Sequence, residues 1–286
     1  MKKVKKHILS FVSLLSAFTI FNCMTVSADT YYTDGDYKYM YLTEDTVMLS
    51  DYFGDSNVLT IPDTFIDRKV TSVQQNAFYQ NTNIEYISFG KYFTTVSAMA
   101  FSGSGLKEVS LPATMEKLVW SAFSDCAELK TVTIADSALT TIPRTCFYNC
   151  PKLANVQIGN NITTIEQYAF SDCTSLTSMV IPKATTSIAS NAFRNCSNLT
   201  IYGYKNSYAQ QYATENSIPF VVIPEYELGD IDLSGRVDIK DATLIQCYVA
   251  SLAKLTDEQE AIADVNQDGA VNVADATFIQ RALVEG

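Results

Sequence analysis

The sequence predicts an α/β-type repeat solenoid built of short parallel strands, followed by a small all-α module of paired loop-helix motifs. Three observations carry this reading. Phe78, Phe101, Phe123, Phe147, Phe170 and Phe193 recur at gaps of 23, 22, 24, 23 and 23 residues. Other apolar ladders keep step with them: Val73, Val96, Leu118, Ile142, Ile165 and Ile188 stand five residues before, and Ile84, Leu106, Leu129, Leu153, Leu176 and Leu199 six after. Finally, one oxygen-rich spacing, from Asp230 to Asp241, returns 34 residues later from Asp264 to Asp275. A fixed period in the low twenties with coincident ladders indicates stacked repeats, none of which can bury its apolar face alone.

Taken in chain order, Lys2, Lys3, Lys5 and Lys6 precede an apolar run from Ile8 to Phe21, then Val26-Ser27-Ala28. This reads as a secretory signal over residues 1–28. A transmembrane anchor is the weaker alternative, because the run is short and holds Ser10, Ser13, Ser16 and Thr19. A secreted, extracellular protein is expected, with no membrane insertion. Removing four lysines with the signal leaves 16 basic side chains against 31 acidic, a net of −15. That charge disfavours nucleic acid as a partner. The lone histidine, His7, falls in the signal, so Ser-His-Asp and Cys-His catalysis are excluded in the processed chain.

Residues 29–57, with Tyr37, Tyr39 and Tyr41 alternating, read as a strand-forming N-terminal cap. The repeats and a closing cap occupy 58–223. Runs such as Val109-Ser110-Leu111, Val132-Thr133-Ile134 and Val156-Gln157-Ile158 read as strands with one side in. Their outward neighbours are Glu108, Ser110, Thr131, Thr133, Asn155 and Gln157. Three residues after each Phe stand Asn81, Ser104, Cys126, Cys150, Cys173 and Cys196. Disulfides or a metal ladder are one reading of this column. A small buried slot filled by Asn, Ser or reduced Cys is the favoured one, since Cys packs as a small hydrophobe.

These phrases, Leu-x-x-Val-x-Ile, Thr-x-Ile and Ala-Phe-x-x-Cys-x-x-Leu, resemble the BspA-like leucine-rich repeats of bacterial surface proteins. The resemblance runs from about Val58 to Leu199, with a closing segment to Ile223. It implies a leucine-rich repeat fold and a general interaction surface, so the ligand of the repeats, whether protein, cell surface or polysaccharide, stays open.

A short linker, 224–228, leads to residues 229–286, which hold four basic and eleven acidic side chains. In both oxygen-rich loops, positions 1, 3, 5, 9 and 12 carry Asp, Asn or Ser and position 6 is Gly, which is the layout of a calcium loop. Each loop runs into a near-identical helix start, Asp241-Ala242-Thr243-Leu244-Ile245-Gln246 and Asp275-Ala276-Thr277-Phe278-Ile279-Gln280. The helices are expected to bury Leu244, Ile245, Tyr248 and Val249, and Phe278, Ile279 and Leu283, with Leu252 to Ile262 as a connector.

Residues 229–286 resemble a type I dockerin along their whole length. The resemblance implies two Ca2+ ions, one on Asp230, Asp232, Ser234, Asp238, Asp241 and the Arg236 carbonyl. The second would sit on Asp264, Asn266, Asp268, Asn272, Asp275 and the Ala270 carbonyl. It also implies as partner a cohesin module on a scaffoldin of a cellulosome, a secreted assembly that degrades plant polysaccharides. Partner-contact positions fall on Ile239, Lys240, Gln246 and Cys247, and on Val273, Ala274, Gln280 and Arg281. The Ser-Thr and Lys-Arg pairs common there are replaced in this chain.

The leading expectation is therefore a non-catalytic secreted docking protein. Two alternatives stand beside it: a carbohydrate-active hydrolase, and an inhibitor of a protease or hydrolase. A glycosidase needs two facing carboxylates, and among the outward strand positions named above only Glu108 is acidic.

Overall fold

The computed structural model describes residues 31–223, 227–234 and 236–285. The expected signal (1–28), the first two residues of the N-terminal cap, most of the expected linker and Gly235 at position 6 of the first loop lie outside the described residues. The chain divides into two compact units between Val221 and Val222.

The first unit opens with β1 (Tyr31–Asp34), β2 (Tyr37–Tyr41) and β3 (Thr46–Tyr52), an antiparallel meander. The alternating tyrosines of β2 do place one ring inward. Tyr39 is buried and stacks on Phe65 with ring centroids 4.1 Å apart. The first repeat supplies β4 (Val58–Thr60), β5 (Thr64–Phe65) and β6 (Arg68–Val73). β3 lies parallel to β6, so the cap presents the solenoid with its first rung.

Each later repeat contributes two short strands. These are β7 (Tyr86–Ser88) and β8 (Thr95–Val96), β9 (Glu108–Leu111) and β10 (Lys117–Leu118), and β11 (Thr131–Ile134) and β12 (Thr141–Ile142). Then come β13 (Asn155–Gln157) and β14 (Thr164–Ile165), and β15 (Ser178–Val180) and β16 (Ser187–Ile188). The first strands pair in parallel in separate runs, β4 with β7 and then β11 with both β9 and β13, where Val132 lies opposite Val109 and Val156. The second strands form two parallel ladders, β6–β8–β10 and β12–β14–β16, with Val73, Val96, Leu118, Ile142, Ile165 and Ile188 buried.

On the remaining side each repeat turns rather than coils into a helix, and the rings do the stacking. Successive Phe rings from Phe78 to Phe193 stack 5.0, 5.4, 5.7, 5.3 and 5.4 Å apart with their planes nearly parallel. The Phe amide of one repeat donates to the carbonyl just before the next Phe, as from Phe123 to Cys146 (2.9 Å) and Phe147 to Ala169 (2.8 Å). Burying each ring is worth roughly 1.5–3 kcal/mol, and the amide ladder satisfies the backbone that burial would otherwise strand.

The C-terminal end of the array is closed by β17 (Thr200–Gly203), α1 (Tyr208–Glu215) and β18 (Phe220–Val222). Ser207 caps α1 by accepting the Gln210 amide, and Tyr212 meets Phe193 edge-on at 6.1 Å. The last ring therefore has a lid instead of solvent.

The cysteine column occupies a small buried slot. Cys126, Cys150, Cys173 and Cys196 are buried thiols whose Sγ atoms donate to the carbonyls of Phe101, Phe123, Phe147 and Phe170, at 3.1–3.3 Å. Burial pushes the Cys150 thiol well up, Cys173 up to about 12 and Cys196 up to about 11.

The second unit holds α2 (Ile239–Val249), α3 (Asp257–Ala263) and α4 (Val273–Glu285). Its core is Ile231, Ala242, Ile245, Ala263, Ala276 and Ile279. This differs from the expected helix faces in two ways. The connector contains α3, started by a capping box between Thr256 and Gln259. Val249, Phe278 and Leu283 are exposed at 41%, 52% and 45%, while Leu244 and Tyr248 are half-buried. The cause is size: α2 and α4 pack against each other around a core of only six side chains, so one narrow stripe per helix is covered in so small a body.

Candidate metal centre and docking face

The two loops share one hydrogen-bond skeleton. In the first, the position-12 carboxylate of Asp241 accepts the Asp232 amide (2.8 Å) and the Asp238 amide (2.7 Å). In the second, Asp275 accepts from Asn266 (3.1 Å) and Asn272 (2.9 Å). Position 1 is held alike: Asp230 accepts the Ser234 amide (2.9 Å) and Asp264 the Asp268 amide (3.0 Å). The position-7 carbonyls are within reach of ligand side chains, with Arg236 O accepting from Ser234 Oγ and Ala270 O from Asn272 Nδ2. Gly269, at position 6, takes φ +91°, a conformation that only glycine adopts readily, and its amide donates to Asp264 (2.8 Å). From α3, Gln259 Nε2 reaches back to Ile231 O (2.8 Å), and Ile262 O accepts the Gly229 amide (2.9 Å).

This skeleton concentrates negative charge. One oxygen each of Asp230, Asp232 and Asp241 lies within 4.8 Å of the others, and Asp230 and Asp241 are fully buried. Carboxylates about 5 Å apart repel by roughly 3 kcal/mol per pair at an effective dielectric near 20. Hard oxygen donors forced together at that cost fit a hard divalent cation. Hydrogen bonding from Ser234 holds the exposed Asp232 carboxyl below its ordinary value.

The sequence-selected residues do not all converge. Asp238 stands outside the three-carboxylate group and caps α2, with Oδ1 accepting the Lys240 amide (2.8 Å) and Oδ2 3.3 Å from Arg236 Nε. Position 9 of such loops commonly acts through a water, which fits that placement. Asn272 repeats the cap on α4, taking the Ala274 amide at 2.8 Å. Asp264, Asp268 and Asp275 do not form a comparable cluster among the described residues.

Of the expected contact positions, Ile239, Lys240, Val273 and Ala274 stand at the starts of α2 and α4, and Gln246, Cys247, Gln280 and Arg281 about two turns further along. Ile239 and Val273, 56% and 58% exposed, are related by the same 34-residue step. Lys240, Gln246, Ala274 and Arg281 are exposed; Cys247 and Gln280 are half-buried.

The repeat unit offers two further surfaces. Along the first-strand ladder, Thr131, Thr133, Asn155, Gln157 and Ser178 line a shallow cavity of about 390 Å³. Along the second ladder, a cavity of about 660 Å³ lies around Trp120, Arg144 and Glu166. Trp120 is the chain's single tryptophan, and nothing in the sequence pattern signals the cavity it lines. No helix among the described residues is long and apolar enough to cross a membrane.

Comparison with known proteins agrees with both geometries. Residues 71–200 match the BspA type leucine rich repeat region in six copies, and residues 228–284 match the dockerin type I domain. Type I dockerin domains bind calcium and imply docking to a cohesin in a cellulosome-like setting. Among solved structures, the chain is similar to a leucine rich cell surface protein from Faecalibacterium prausnitzii A2-165 (24% identity, 62% of this chain and 55% of that one, TM-score 0.46). It is also similar to a T. pallidum leucine rich repeat protein (21%, 79% and 97%, 0.42) and to a leucine-rich repeat protein from Eubacterium ventriosum ATCC 27560 (22%, 58% and 49%, 0.47). The chain thus spans about half the length of the first and third of these. No curated protein matches it.

Proposed function

We propose that this chain, a BspA-type leucine-rich repeat region joined to a type I dockerin domain, is a secreted, non-catalytic docking protein. Its dockerin, residues 229–286, seats on a cohesin of a scaffoldin only when two Ca2+ ions are bound. The repeats and caps, residues 29–223, then present a surface to a further ligand of the assembly. The supporting observation is the duplicated skeleton, in which Asp241 and Asp275 each gather the amides of positions 3 and 9.

In this reading Asp230, Asp232, Ser234, Asp241 and the Arg236 carbonyl hold the first ion, with Asp238 acting through water. Asp264, Asn266, Asp268, Asn272, Asp275 and the Ala270 carbonyl hold the second. Calcium would supply the positive charge that these carboxylates lack; with it, Asp241 and Asp275 would hold the starts of α2 and α4 so that Ile239 and Lys240, or Val273 and Ala274, face the partner. Gln246 and Cys247, and Gln280 and Arg281, extend each face along its helix. An apolar centre of Ile239 or Val273 with few charges suits a desolvated interface core.

The test is capture of the full chain by a panel of immobilised cohesins, with and without chelator. Capture by at least one cohesin in calcium, lost on chelation, is expected. Replacing Ile239 and Lys240 together, and Val273 and Ala274 together, by Ser then shows which face is used. Undiminished binding in both variants and in their combination overturns the assigned face; the absence of any calcium-dependent capture overturns the docking reading itself.

A further inference from the structure

The ladder of second strands is continuous except at one seam. Its rule is that the residue after each aliphatic rung donates its N–H to the previous rung's carbonyl: Val119 to Val96 (3.0 Å), Glu166 to Ile142 (3.0 Å), Ala189 to Ile165 (2.9 Å). Between Leu118 and Ile142 that place is held by Pro143, which has no N–H to give. The ladder stops there, with one sheet ending at β10 and another beginning at β12. The repeat across this seam is also the long one, 24 residues from Phe123 to Phe147. The Leu118 carbonyl is therefore left without its rung donor.

The 660 Å³ cavity opens at this seam, lined by Leu118, Pro143 and the indole of Trp120, with Lys117, Arg144 and Glu166 at its margin. Its volume falls within the range of about 300–1,000 Å³ that holds small organic ligands. Trp120 is 47% exposed and enters no ring stack or cation–π pair among the described residues. The Arg144 guanidinium and the Lys117 ammonium make no ion pair or hydrogen bond among the described residues. Glu166 has one oxygen committed, since Oε2 accepts the Arg144 backbone N–H at 2.7 Å. A second, shallower cavity of about 360 Å³ shares Arg144 and Glu166 and runs on past Gln167 and Ser187. In a chain this acidic, two unpartnered cations beside an uncovered indole mark a place where an anion with a flat apolar face would be held.

We propose that this seam binds an acidic polysaccharide, one uronic-acid residue resting on Trp120 with its carboxylate on Arg144 and Lys117. The electron-rich face of the indole attracts the polarised C–H face of a pyranose. The guanidinium fork matches a carboxylate with two parallel hydrogen bonds. The open Leu118 carbonyl and the free Glu166 oxygen accept sugar hydroxyls, and the adjoining cavity receives the next residue. A uronate carries ring face and carboxylate on one rigid unit. An acidic peptide puts its carboxylate on a flexible stem and has no such face. The proposal does not depend on cohesin docking, because every group it uses lies in the repeat unit.

Trp120 is the chain's only tryptophan, so indole fluorescence of the full protein reports on this cavity alone. A galacturonic-acid trimer is expected to shift the emission saturably, with affinity falling as salt rises. Arg144→Gln is expected to weaken binding about tenfold or more, as loss of a charged hydrogen bond does, and Lys117→Gln to weaken it less. Trp120→Ala, followed by calorimetry, should remove binding. Both cationic side chains are exposed, so circular dichroism of these variants should match the parent. No shift with the trimer overturns the proposal. So does an equal shift with a neutral galactose trimer or with triglutamate, or binding unchanged in both Arg144→Gln and Lys117→Gln.

Discussion

The repeat unit and the dockerin unit organise repeated sequence by opposite means. In the array the repeating element is apolar, and each copy shields the next: ring on ring at 5.0–5.7 Å, aliphatic on aliphatic, amide to carbonyl. In the dockerin the repeating element is charged, and each copy aggravates itself. Its apolar core is six side chains, two of them alanines of α2 and α4. Duplication in a stacked core adds cohesion with every copy, whereas duplication of an acidic loop adds a further demand for a counter-ion. The contrast predicts that the two units fail under different insults.

The largest expected effect is chelation. With calcium, the full chain should melt in two transitions; with a strong chelator the dockerin transition should vanish and its helical circular dichroism signal collapse, since metal binding supplies much of the folding energy of such a body. The array transition should not move. A single transition that shifts as a whole on chelation would break the contrast.

The second test acts on the array. Phe147→Ala removes a fully buried ring from the middle of the stack, at an expected cost of about 3–5 kcal/mol. The array transition should fall steeply while calcium affinity, read by calorimetry, stays as in the parent. An unchanged array melt would show that the stacked rings are not what holds the repeats together.

How much of this was legible in the sequence follows from the same contrast. The Phe column, its companions and the two loops are periodic, and periodicity survives in sequence because every copy meets the same neighbours. Features made by a single contact do not repeat and were harder to read. The helix α1 in the closing cap was not anticipated, although Ser207 ahead of Tyr208–Glu215 is an N-cap signal. The helix α3 lies where the sequence reads as a connector, although Thr256 and Gln259 have the spacing of a capping box. Residue type alone puts Phe278 and Leu283 in the core, but which stripe of α4 is covered depends on how it packs against α2, and these two side chains fall outside it. Pro143 was visible as a residue; that its missing N–H falls on the one rung facing Leu118 could be known only from strand register.

The smallest effect separates the units by pH. The Cys173 and Cys196 thiols are raised to about 12 and about 11 in the folded array, against about 8.5 in an unfolded chain. Below that value both states hold the proton and the thiols contribute no pH dependence. Above it the unfolded chain loses protons that the folded array keeps, so array stability declines as pH climbs from about 9 towards 11. Melting the array at stepped pH, with a Cys173→Ala, Cys196→Ala double variant as control, checks this. The variant should show a shallower decline, and equal slopes would remove the thiols from the account.

The missing rung at Pro143 has one more consequence. An array of like units lengthens or shortens by whole units, and each such event must sever the bonds between two neighbours and remake them with new ones. Between the units of Phe147 and Phe170 that means parting both ladders. Between the units of Phe123 and Phe147 the second ladder is already parted, so a unit can be inserted or lost at that joint with fewer bonds to rebuild than where both ladders run through.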